Sequence, residues 1–362
     1  MKIAFVTANI TNSAGTERVL VNVSNYLVSN GFKIEIHSIS SKSGTPYYSL
    51  DNRVSYAHYG LANYADISSK LLKLYLKITN TFKVRYAFKN INADIVIGVD
   101  KHINIYLVLF LPKKQKHMVI GSEHFPHNVH ISIFSKITRR LCYPYLDGFV
   151  ALTEYDKLFY KTFVKNVVCI PNSYSFFPDQ QSNSQSKIVL SIGRHTEQKG
   201  FDMLIRTWVN VVASNPDWQL FIVGTGPLLQ AHINLAQSLG VGNSVSFLPP
   251  TKNVMELYLS ASLYVLPSRY EAFPMVLLEA MACGLSCVCF DCTTGPAEII
   301  NNGEDGIIVT PNNEVELAQK LLLLINNLDT RLEMGKKARE NIQRYSPEII
   351  GKQWIDFLLQ YQ

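Results

Sequence analysis

Three things are scarce in this sequence: long apolar runs, metal-ligand patterns and, in its first half, acidic residues. The longest apolar runs, such as residues 103–111, fall well short of the roughly 20 residues that a membrane-spanning helix needs. The first nine residues carry one lysine and a short apolar stretch, which favours a buried strand over a signal peptide. We therefore expect a cytoplasmic globular protein, and 362 residues are enough for two domains.

Metal-binding patterns are missing as well. Four of the six cysteines crowd into ten residues: Cys283, Cys287, Cys289 and Cys292. Their spacing matches no common zinc pattern, and two of them alternate along a predicted buried strand, so we interpret them as core thiols. There is no Asp-x-Asp motif, because Asp291 and the pair Glu304-Asp305 have the wrong spacing. We expect no metal in the chemistry.

Acidic residues are scarce in the first half only. Residues 1–175 contain 21 Lys and Arg against 10 Asp and Glu, whereas the remainder contains 13 against 18. A basic half joined to an acidic half suggests an anionic partner for the first half alone. Nucleic acid, a membrane surface and a phosphorylated acceptor all fit this charge split.

Short β-branched apolar runs alternate with helical stretches along the whole chain. In the first half, the predicted strands are residues 2–8, 32–38, 94–99, 117–122, 148–152 and 167–170, and the predicted helices are 17–29, 68–89, 131–142 and 154–163. In the second half, the predicted strands are 187–192, 219–223, 245–248, 263–266, 285–290 and 306–309, followed by helices 314–326 and 330–344. This alternation predicts an α/β fold with two doubly wound parallel sheets.

Residues 174–186 interrupt the alternation, because they are polar, contain proline and show no periodicity. We predict a linker there, a Rossmann-like domain over residues 1–173 and a second over residues 187–345, with a ligand cleft where the strands end. Ser346-Pro347-Glu348 is typical of a helix start. The large apolar residues that follow predict that helix 346–362 packs back on the first domain.

The most specific stretch is residues 267–284, where a strand ends at Leu266 and a helix is expected near Pro274. Glu271 lies in the loop and Glu279 lies inside the helix. Free N–H groups at a helix start attract phosphate or sugar oxygens, and a carboxylate beside them can accept hydrogen bonds from sugar hydroxyls. An ordinary helix with an acidic first turn is the alternative on chemistry alone.

This stretch resembles the Glu-x7-Glu motif of retaining family 4 glycosyltransferases of the GT-B fold, since seven residues separate Glu271 from Glu279 and Ala280-Met281-Ala282 with Gly284 extend the match. The resemblance implies that these glutamates bind the donor sugar nucleotide. It implies the same for the start of the helix, namely Phe273, Pro274, Met275 and Val276. Ala272 stands where the family commonly has glycine.

Two further places in the second half carry the resemblance. Residues 193–200 are similar to the segment in which the family clamps the donor diphosphate, and Arg194 and Lys199 occupy the positions of its two cations. Such cations would stabilise an anionic leaving group, although a solvated charge pair is the alternative. Val223-Gly224-Thr225-Gly226-Pro227 resembles the family's Gly-x-Gly-Pro turn, which implies that Gly224 lies at the donor.

The first half matches the family at two loops. Ala14-Gly15-Thr16-Glu17-Arg18 resembles Gly-Gly-x-Glu-Arg, with Gly15 expected at the donor and Ala14 replacing the first glycine. His124 matches a histidine that commonly faces the donor sugar. Glu123, His127 and His130 are nearby, and only the resemblance ranks His124 first.

The resemblance implies a retaining, metal-independent enzyme that moves a hexose or N-acetylhexosamine, with UDP as the expected nucleotide, to a glycan hydroxyl. We expect the acceptor to be carried on a polyprenyl-diphosphate lipid in bacterial surface polysaccharide synthesis (O-antigen, capsule or exopolysaccharide). Glu271, His124, Arg194 and Lys199 are the candidate catalytic residues. A sugar-nucleotide epimerase and a non-catalytic sugar-nucleotide-binding protein of the same fold are the alternatives.

The predicted helix 68–89 interleaves cations with large apolar residues, and its cations are Lys70, Lys73, Lys77, Lys83, Arg85 and Lys89. No nucleic-acid motif accompanies them, so we expect no nucleic-acid partner. Lysine and arginine stems among leucines and phenylalanines suit an anionic membrane surface, here the inner face of the plasma membrane. A solvated amphipathic helix is the alternative.

Overall fold

We describe a computed structural model of the chain, in residues 1–40, 43–61, 69–112, 117–129 and 132–361. Contacts between Cα atoms divide it into two compact units. The first unit is Met1–Asn172 with Pro347–Gln362, and the second is Ser173–Ser346. Each unit contains one parallel sheet packed against helices.

The first unit has a seven-stranded sheet in its described residues. Its strands are β1 (Lys2–Thr7), β2 (Lys33–Ser38), β3 (Ser55–His58), β4 (Ile95–Gly98), β5 (Met118–Ser122), β6 (Gly148–Ala151) and β7 (Val167–Cys169). They pair in the order β3-β2-β1-β4-β5-β6-β7. The helices are α1 (Gly15–Ser29), α2 (Lys70–Lys89), α3 (Lys101–Phe110), α4 (Ile133–Cys142) and α5 (Glu154–Tyr160).

Four of these helices begin at a polar residue that follows a strand or loop. The side-chain oxygens of Ser69, Asp100, Ser132 and Thr153 accept hydrogen bonds from N–H groups in the first turns of α2, α3, α4 and α5. Such caps satisfy donors that a helix start leaves without intrahelical partners. The loops at the carboxyl ends of β4 and β6 therefore turn directly into helices.

The second unit has a six-stranded sheet in the order β10-β9-β8-β11-β12-β13. Its strands are β8 (Ile188–Ile192), β9 (Gln219–Val223), β10 (Val245–Leu248), β11 (Leu263–Leu266), β12 (Ser286–Phe290) and β13 (Ile307–Val309). Its helices are α6 (Phe201–Ser214), α7 (Leu229–Ser238), α8 (Val254–Ser260), α9 (Met275–Ala282), α10 (Pro296–Ile299), α11 (Glu314–Ile325) and α12 (Leu328–Asn341). Trp208 and Leu204 of α6 are fully buried in its core, together with Leu263 and Val288 of the sheet.

The predicted fold class is confirmed: both units are α/β with parallel sheets. The six strands predicted in the second half agree with the structure to within one residue at each end. In the first half, strand β3 and helix α3 were not predicted. Strand β3 is a half-exposed edge strand without an apolar run, and α3 is so evenly apolar that it shows no helical period.

Residues 174–186, predicted as a linker, contain no helix or strand but pack on the second unit. The Ser182 hydroxyl bonds to the Ala261 carbonyl, and the Arg331 guanidinium donates to the Ser184 carbonyl at 3.0 Å. These contacts bury Ser182 and Ser184, so the segment is part of the second unit's surface layer.

The last helix, α13 (Pro347–Leu359), packs on α1 in the first unit. Gly351 lies against the Tyr26 ring so closely that a β-carbon there would overlap it. Trp354 meets Phe5 of β1 edge to face, with ring centroids 6.4 Å apart. These large apolar side chains explain why the segment is held on the sheet rather than free.

Candidate active site

The strand order of the second sheet reverses direction between β8 and β11, which are neighbours. In open α/β sheets, the loops that leave the carboxyl ends of two such strands diverge and leave a crevice for ligands. The loop after β8 carries Arg194 and Lys199, and the loop after β11 carries Glu271. The topology therefore brings these predicted site residues to one edge of one sheet.

Lys199 and Glu271 form an ion pair across this edge. The Lys199 Nζ lies 2.6 Å from Glu271 Oε1, and both side chains are largely buried. The Ser268 hydroxyl donates to the same Oε1 at 2.7 Å. No donor among the described residues reaches Glu271 Oε2, so this oxygen keeps its capacity to accept a hydrogen bond.

The loop that holds Glu271 is anchored to the segment that holds Lys199. Arg269 makes a bidentate ion pair with Asp202, with N–O distances of 2.8 and 2.7 Å, and donates to the Glu197 carbonyl. Its backbone N–H donates to the Gln198 carbonyl at 2.8 Å. Hydrogen bonds from Arg269 and Arg206, working against burial, lower the pKa of Asp202 to about 2.

A second anchor comes from the loop after β12. The Thr294 hydroxyl bonds to the Glu271 carbonyl, and the Cys292 thiol lies 3.0 Å from the Ser268 carbonyl oxygen. Sequence reasoning missed Thr294, Ser268 and the Arg269–Asp202 pair. Ser268 and Arg269 lie inside the motif stretch, but nothing in their spacing shows what they contact.

The predicted Gly-x-Gly turn packs directly on the Lys199 loop. A β-carbon at Gly224 would overlap the Gly193 carbonyl oxygen, and one at Gly193 would lie 3.0 Å from the Lys199 side chain. The Gly193 N–H also donates to the Val223 carbonyl at 3.0 Å. Glycine at both positions therefore lets the two loops and the lysine stem stack without a gap.

Helix α9 begins at the same edge, after Ala272, Phe273 and Pro274, all of them buried. The N–H groups of Met275 and Val276, in its first turn, have no acceptor within the helix. They present the positive end of the helix, which suits an anion or a polarised oxygen.

Glu279 faces inward from α9 and is almost fully buried. The Tyr258 hydroxyl lies 3.3 Å from its Oε2 and 3.2 Å from the Val276 carbonyl oxygen. Tyr258 was not predicted, because its place under α9 depends on the packing of α8. The two motif glutamates thus differ: Glu271 lies at the loop edge and Glu279 lies inside the unit.

Arg194 and the cysteines complete the second unit's candidates. Arg194 is exposed, and among the described residues its guanidinium pairs with no carboxylate. It is therefore available to an anion. Cys283, Cys287, Cys289 and Cys292 are buried free thiols whose pKa values are raised by burial.

In the first unit, Gly15 is the exposed first residue of α1, which has no side-chain cap because Ala14 occupies the capping position. His124 lies just after β5 and is partly exposed. Burial lowers the pKa of the His124 imidazole to about 4, so the ring is neutral at physiological pH. No hydrogen bond to this ring is made within the described residues.

The neighbours of His124 have other partners. Glu123 is buried in an ion pair with Arg139, whose Nε lies 3.0 Å from Glu123 Oε1, and it accepts from the Tyr143 hydroxyl. His127 Nδ1 lies 2.7 Å from Asp156 Oδ1. Glu123 and His127 therefore hold the loop in place, which leaves His124 as the ring without a fixed partner. His130 lies outside the described residues.

Helix α2 covers part of the predicted cationic helix. Ser68 and the side chains of Lys70, Lys73 and Lys77 lie outside what the structure describes. Arg85 and Lys89 are exposed, whereas Lys83 Nζ donates to the Gly60 carbonyl at 3.0 Å.

Several known proteins are similar to this chain in sequence and in architecture. The sequence model named Glycosyl transferases group 1 matches residues 174–341. The amylovoran biosynthesis glycosyltransferase AmsD of Erwinia amylovora is 34% identical over 99% of this chain and 99% of its own length. An uncharacterized glycosyltransferase of Haemophilus influenzae is 33% identical over 99% of each chain. This chain belongs to the group 1 glycosyltransferases.

Two further comparisons bear on ligands and fold. An alpha-1,4-N-acetyl-D-galactosaminyltransferase of Campylobacter jejuni, named for an acceptor glycan on PP-undecaprenol, is 27% identical over 99% of this chain and 98% of its own. A solved TarM variant from S. aureus, in complex with fondaparinux, alpha-GlcNAc-glycerol and UDP, has a TM-score of 0.81 at 18% identity. That match covers 98% of this chain and 99% of the TarM chain, and it shows that this chain has the GT-B fold.

The edge of the second sheet combines three chemical capacities that a glycosyltransferase needs. Lys199 and Arg194 supply positive charge, the start of α9 supplies N–H donors, and Glu271 Oε2 supplies an acceptor. An anionic diphosphate and a polyhydroxylated sugar together match this set. Among the helices that the structure describes, none is both long and apolar enough to cross a membrane.

Proposed function

We propose that this glycosyltransferase is a retaining family 4 enzyme that moves a hexose or N-acetylhexosamine from a UDP-sugar to a glycan hydroxyl. The observation that carries the proposal is the Lys199–Glu271 ion pair at the switch point of the second sheet. It places a cation and an oriented carboxylate beside the free N–H groups of α9. A phosphate-only site would need the cation and the N–H groups but not the carboxylate.

In the proposed reaction, the acceptor oxygen bonds to the anomeric carbon on the face from which the diphosphate departs. The bond from that carbon to the phosphate oxygen breaks, and the departing oxygen takes the acceptor proton. Lys199, Arg194 and the start of α9 would stabilise the charge that develops on the diphosphate. Glu271 would orient the sugar through Oε2, and neutral His124 would face the donor sugar from the first unit.

We also propose that no divalent metal takes part. Arg194, the helix start and the N–H donors that Lys199 keeps beside Glu271 would stabilise the diphosphate charge without one.

The proposed acceptor is a glycan on a polyprenyl-diphosphate lipid, in bacterial surface polysaccharide synthesis. The names of AmsD and of the Campylobacter jejuni relative support this class of acceptor. The excess of cations in residues 1–175 supports an anionic partner for the first unit. We propose that the protein works as a peripheral protein at the inner, anionic face of the plasma membrane.

The deciding experiment is a donor panel. In a thermal-shift assay with UDP-, GDP- and ADP-linked sugars, a UDP-sugar should give the largest rise in Tm. The rise is measurable because a ligand at 100 times its Kd stabilises the native state by about 2.7 kcal/mol. Turnover with that donor and a glycan acceptor should follow, and NMR of the product should show the anomeric configuration of the donor. Inverted product, or preference for GDP- or ADP-sugars, would contradict the proposal.

The alternatives give distinct results in the same assay. An epimerase would interconvert the donor without an acceptor, and a binding protein would show the thermal shift without turnover. The Arg194→Ala variant is a useful companion, since Arg194 is exposed and its loss should weaken donor binding without lowering the Tm of the free protein.

A further inference from the structure

Helix α4 has an exposed apolar face. Ile133, Phe134 and Leu141 are 73%, 72% and 66% exposed, and Ile137 is exposed as well. At about 100° per residue these four side chains fall within an arc of about 100°. Tyr145, in the short turn that follows α4, is also exposed. The apolar stripe of this helix therefore faces outward.

The buried face of α4 is centred on an arginine and carries no large apolar side chain. Its buried residues are Ser135, Arg139 and Cys142. Arg139 is held there by its ion pair with Glu123 and by a 2.9 Å hydrogen bond to the His127 carbonyl. An amphipathic helix of a globular protein normally buries its apolar stripe and exposes its charges. Helix α4 does the reverse, and a buried arginine whose three nitrogens each donate a hydrogen bond fixes it in that orientation.

Cations border the apolar stripe. Lys136 and Arg140 are exposed along one edge of it, and α4 contains no acidic residue. We call the combined face the α4 surface, consisting of Ile133, Phe134, Lys136, Ile137, Arg140 and Leu141. Apolar side chains that enter the acyl boundary and cations that reach phosphate headgroups are the two features of an interfacial helix.

Helix α2 offers a comparison within the same unit. It exposes four large side chains, Leu72, Tyr75, Phe82 and Tyr86, but its buried face is apolar, with Val84, Ala87 and Phe88 in the core. Helix α2 thus buries apolar side chains, as a helix of a globular protein normally does. Only in α4, among the described helices of the first unit, is the inward face built around a buried arginine.

We propose that the α4 surface docks on an anionic lipid bilayer, with Phe134 and Leu141 inserted at the acyl boundary and Lys136 and Arg140 on the headgroups. This inference rests on the membrane-surface part of the proposed function and gives it a location. On the opposite side of α4, Arg139 forms an ion pair with Glu123, the residue before His124. The docked helix therefore packs against the loop that carries His124. A lipid-borne acceptor would then enter from the bilayer on which α4 rests.

Co-sedimentation of the full chain with vesicles tests the proposal. Native protein should bind equimolar phosphatidylglycerol and phosphatidylcholine at low salt, and binding should weaken with salt. The double variant Phe134→Ser with Leu141→Ser should lower the partition coefficient at least ~10-fold, because both side chains are exposed and lose only their lipid contact. Lys136→Glu with Arg140→Glu should abolish the preference for phosphatidylglycerol. The matched control is Tyr75→Ser with Phe82→Ser on α2, the helix for which the sequence predicts membrane contact. If α4 is the docking helix, this variant should bind within about twofold of native protein.

Insertion has its own signal. In Phe134→Trp, fluorescence should shift to the blue on vesicles and be quenched by nitroxide-labelled lipid, whereas Phe82→Trp should show neither. Native-like vesicle binding by the Phe134 and Leu141 double variant would overturn the proposal. So would a dimeric native protein that becomes monomeric in this variant, because the α4 surface would then join two copies of the chain. Failure of native protein to bind anionic vesicles would overturn it together with the membrane part of the proposed function. The donor thermal shift, which α4 variants should not change, separates these outcomes from failure of the donor chemistry.

Discussion

The two units have similar parallel sheets but differ in charge and in the side chains that they expose. The second unit carries 12 Lys and Arg against 16 Asp and Glu, and it commits its charges to ion pairs that hold loops at the switch point. The first unit carries 22 against 12 and leaves many cations and several apolar side chains at its surface. Under the proposed function, the second unit would bind a small anionic ligand at its paired loops, and the first unit would meet an extended anionic surface.

The largest effects should come from the ion pair of the second unit. Lys199→Ala and Glu271→Ala should each lower turnover with the preferred donor by at least ~100-fold, because each removes a contact that stabilises the transition state. The matched control is Lys187→Ala, whose lysine forms an exposed ion pair with Asp217 and should leave turnover unchanged. Near-normal rates in both variants, with unaltered Tm, would remove this edge from the active site.

The same pair allows a sharper test. Since Lys199 and Glu271 contact each other, the double variant should lose less activity than the product of the two single losses. Strict multiplication of the two losses would mean that the residues act independently, and the ion pair would then have no part in orienting the carboxylate.

A buried histidine pair in the second unit should make the protein less stable in acid. His195 and His232 are buried with their Nδ1 atoms 2.8 Å apart, so one ring must donate and the other accept. Burial and the neighbouring His232 lower the pKa of His195 to about 4, and burial lowers the pKa of His232. The unfolded chain binds more protons than the folded one between about pH 6.5 and 4, so stability is full above this window and falls as pH drops through it.

Lowering the pH from 7 to 5 should therefore cost about 2 kcal/mol at His195 alone, visible as a fall in Tm. His195→Gln should flatten the fall, whereas His102→Gln, an exposed histidine of the first unit, should not. If the native Tm stayed level over this range, the buried pair would have to be charged or solvated, contrary to its contacts.

The strands of the second unit were also the more predictable from sequence, whereas its helices α7, α8 and α10 were not predicted. Its strands are buried on both faces, so they show as continuous apolar runs, and its site residues lie in loops that resemble a known motif. The sequence could not show the contacts between distant segments. Two examples are the Tyr258 hydroxyl beside Glu279 and the bonds by which Thr294 and Arg269 hold the Glu271 loop. Each of these contacts joins segments that only the sheet order brings together.

In the first unit, periodicity was a poorer guide. Strand β3 has no apolar run because it is a half-exposed edge, and α3 has too many apolar residues to show a face. Helix α4 was predicted as a helix, but a helical wheel cannot tell which face is buried. Only the burial of Arg139 against Glu123 reveals that its apolar stripe points outward.

Smaller effects should arise from the first unit's loop. His124→Ala should lower turnover by roughly 10-fold without lowering Tm, because the ring has no fixed partner in the described residues and is proposed to contact the donor sugar. His127→Ala should do the opposite: it removes the Asp156 contact and the stacking on Phe159, and should lower Tm. Burial holds the pKa of His124 near 4, so this ring does not change charge between pH 6 and 8. The pH profile of activity over that range should therefore have the same shape in His124→Ala as in native protein. Equal behaviour of the two variants would make both histidines structural.

The smallest expected effect is that of removing divalent metal. EDTA should change turnover by less than about twofold, because the diphosphate charge is proposed to be balanced by Lys199, Arg194 and the N-terminus of α9. The comparison between units sharpens this test. If chelation abolished activity and magnesium or manganese restored it, the second unit's own cations would be insufficient, and an acidic group near the switch point would have to serve as a ligand. Glu271 is the carboxylate nearest Lys199, so Glu271→Gln would then lose metal dependence along with activity, whereas under the proposal it should stay insensitive to EDTA while losing rate.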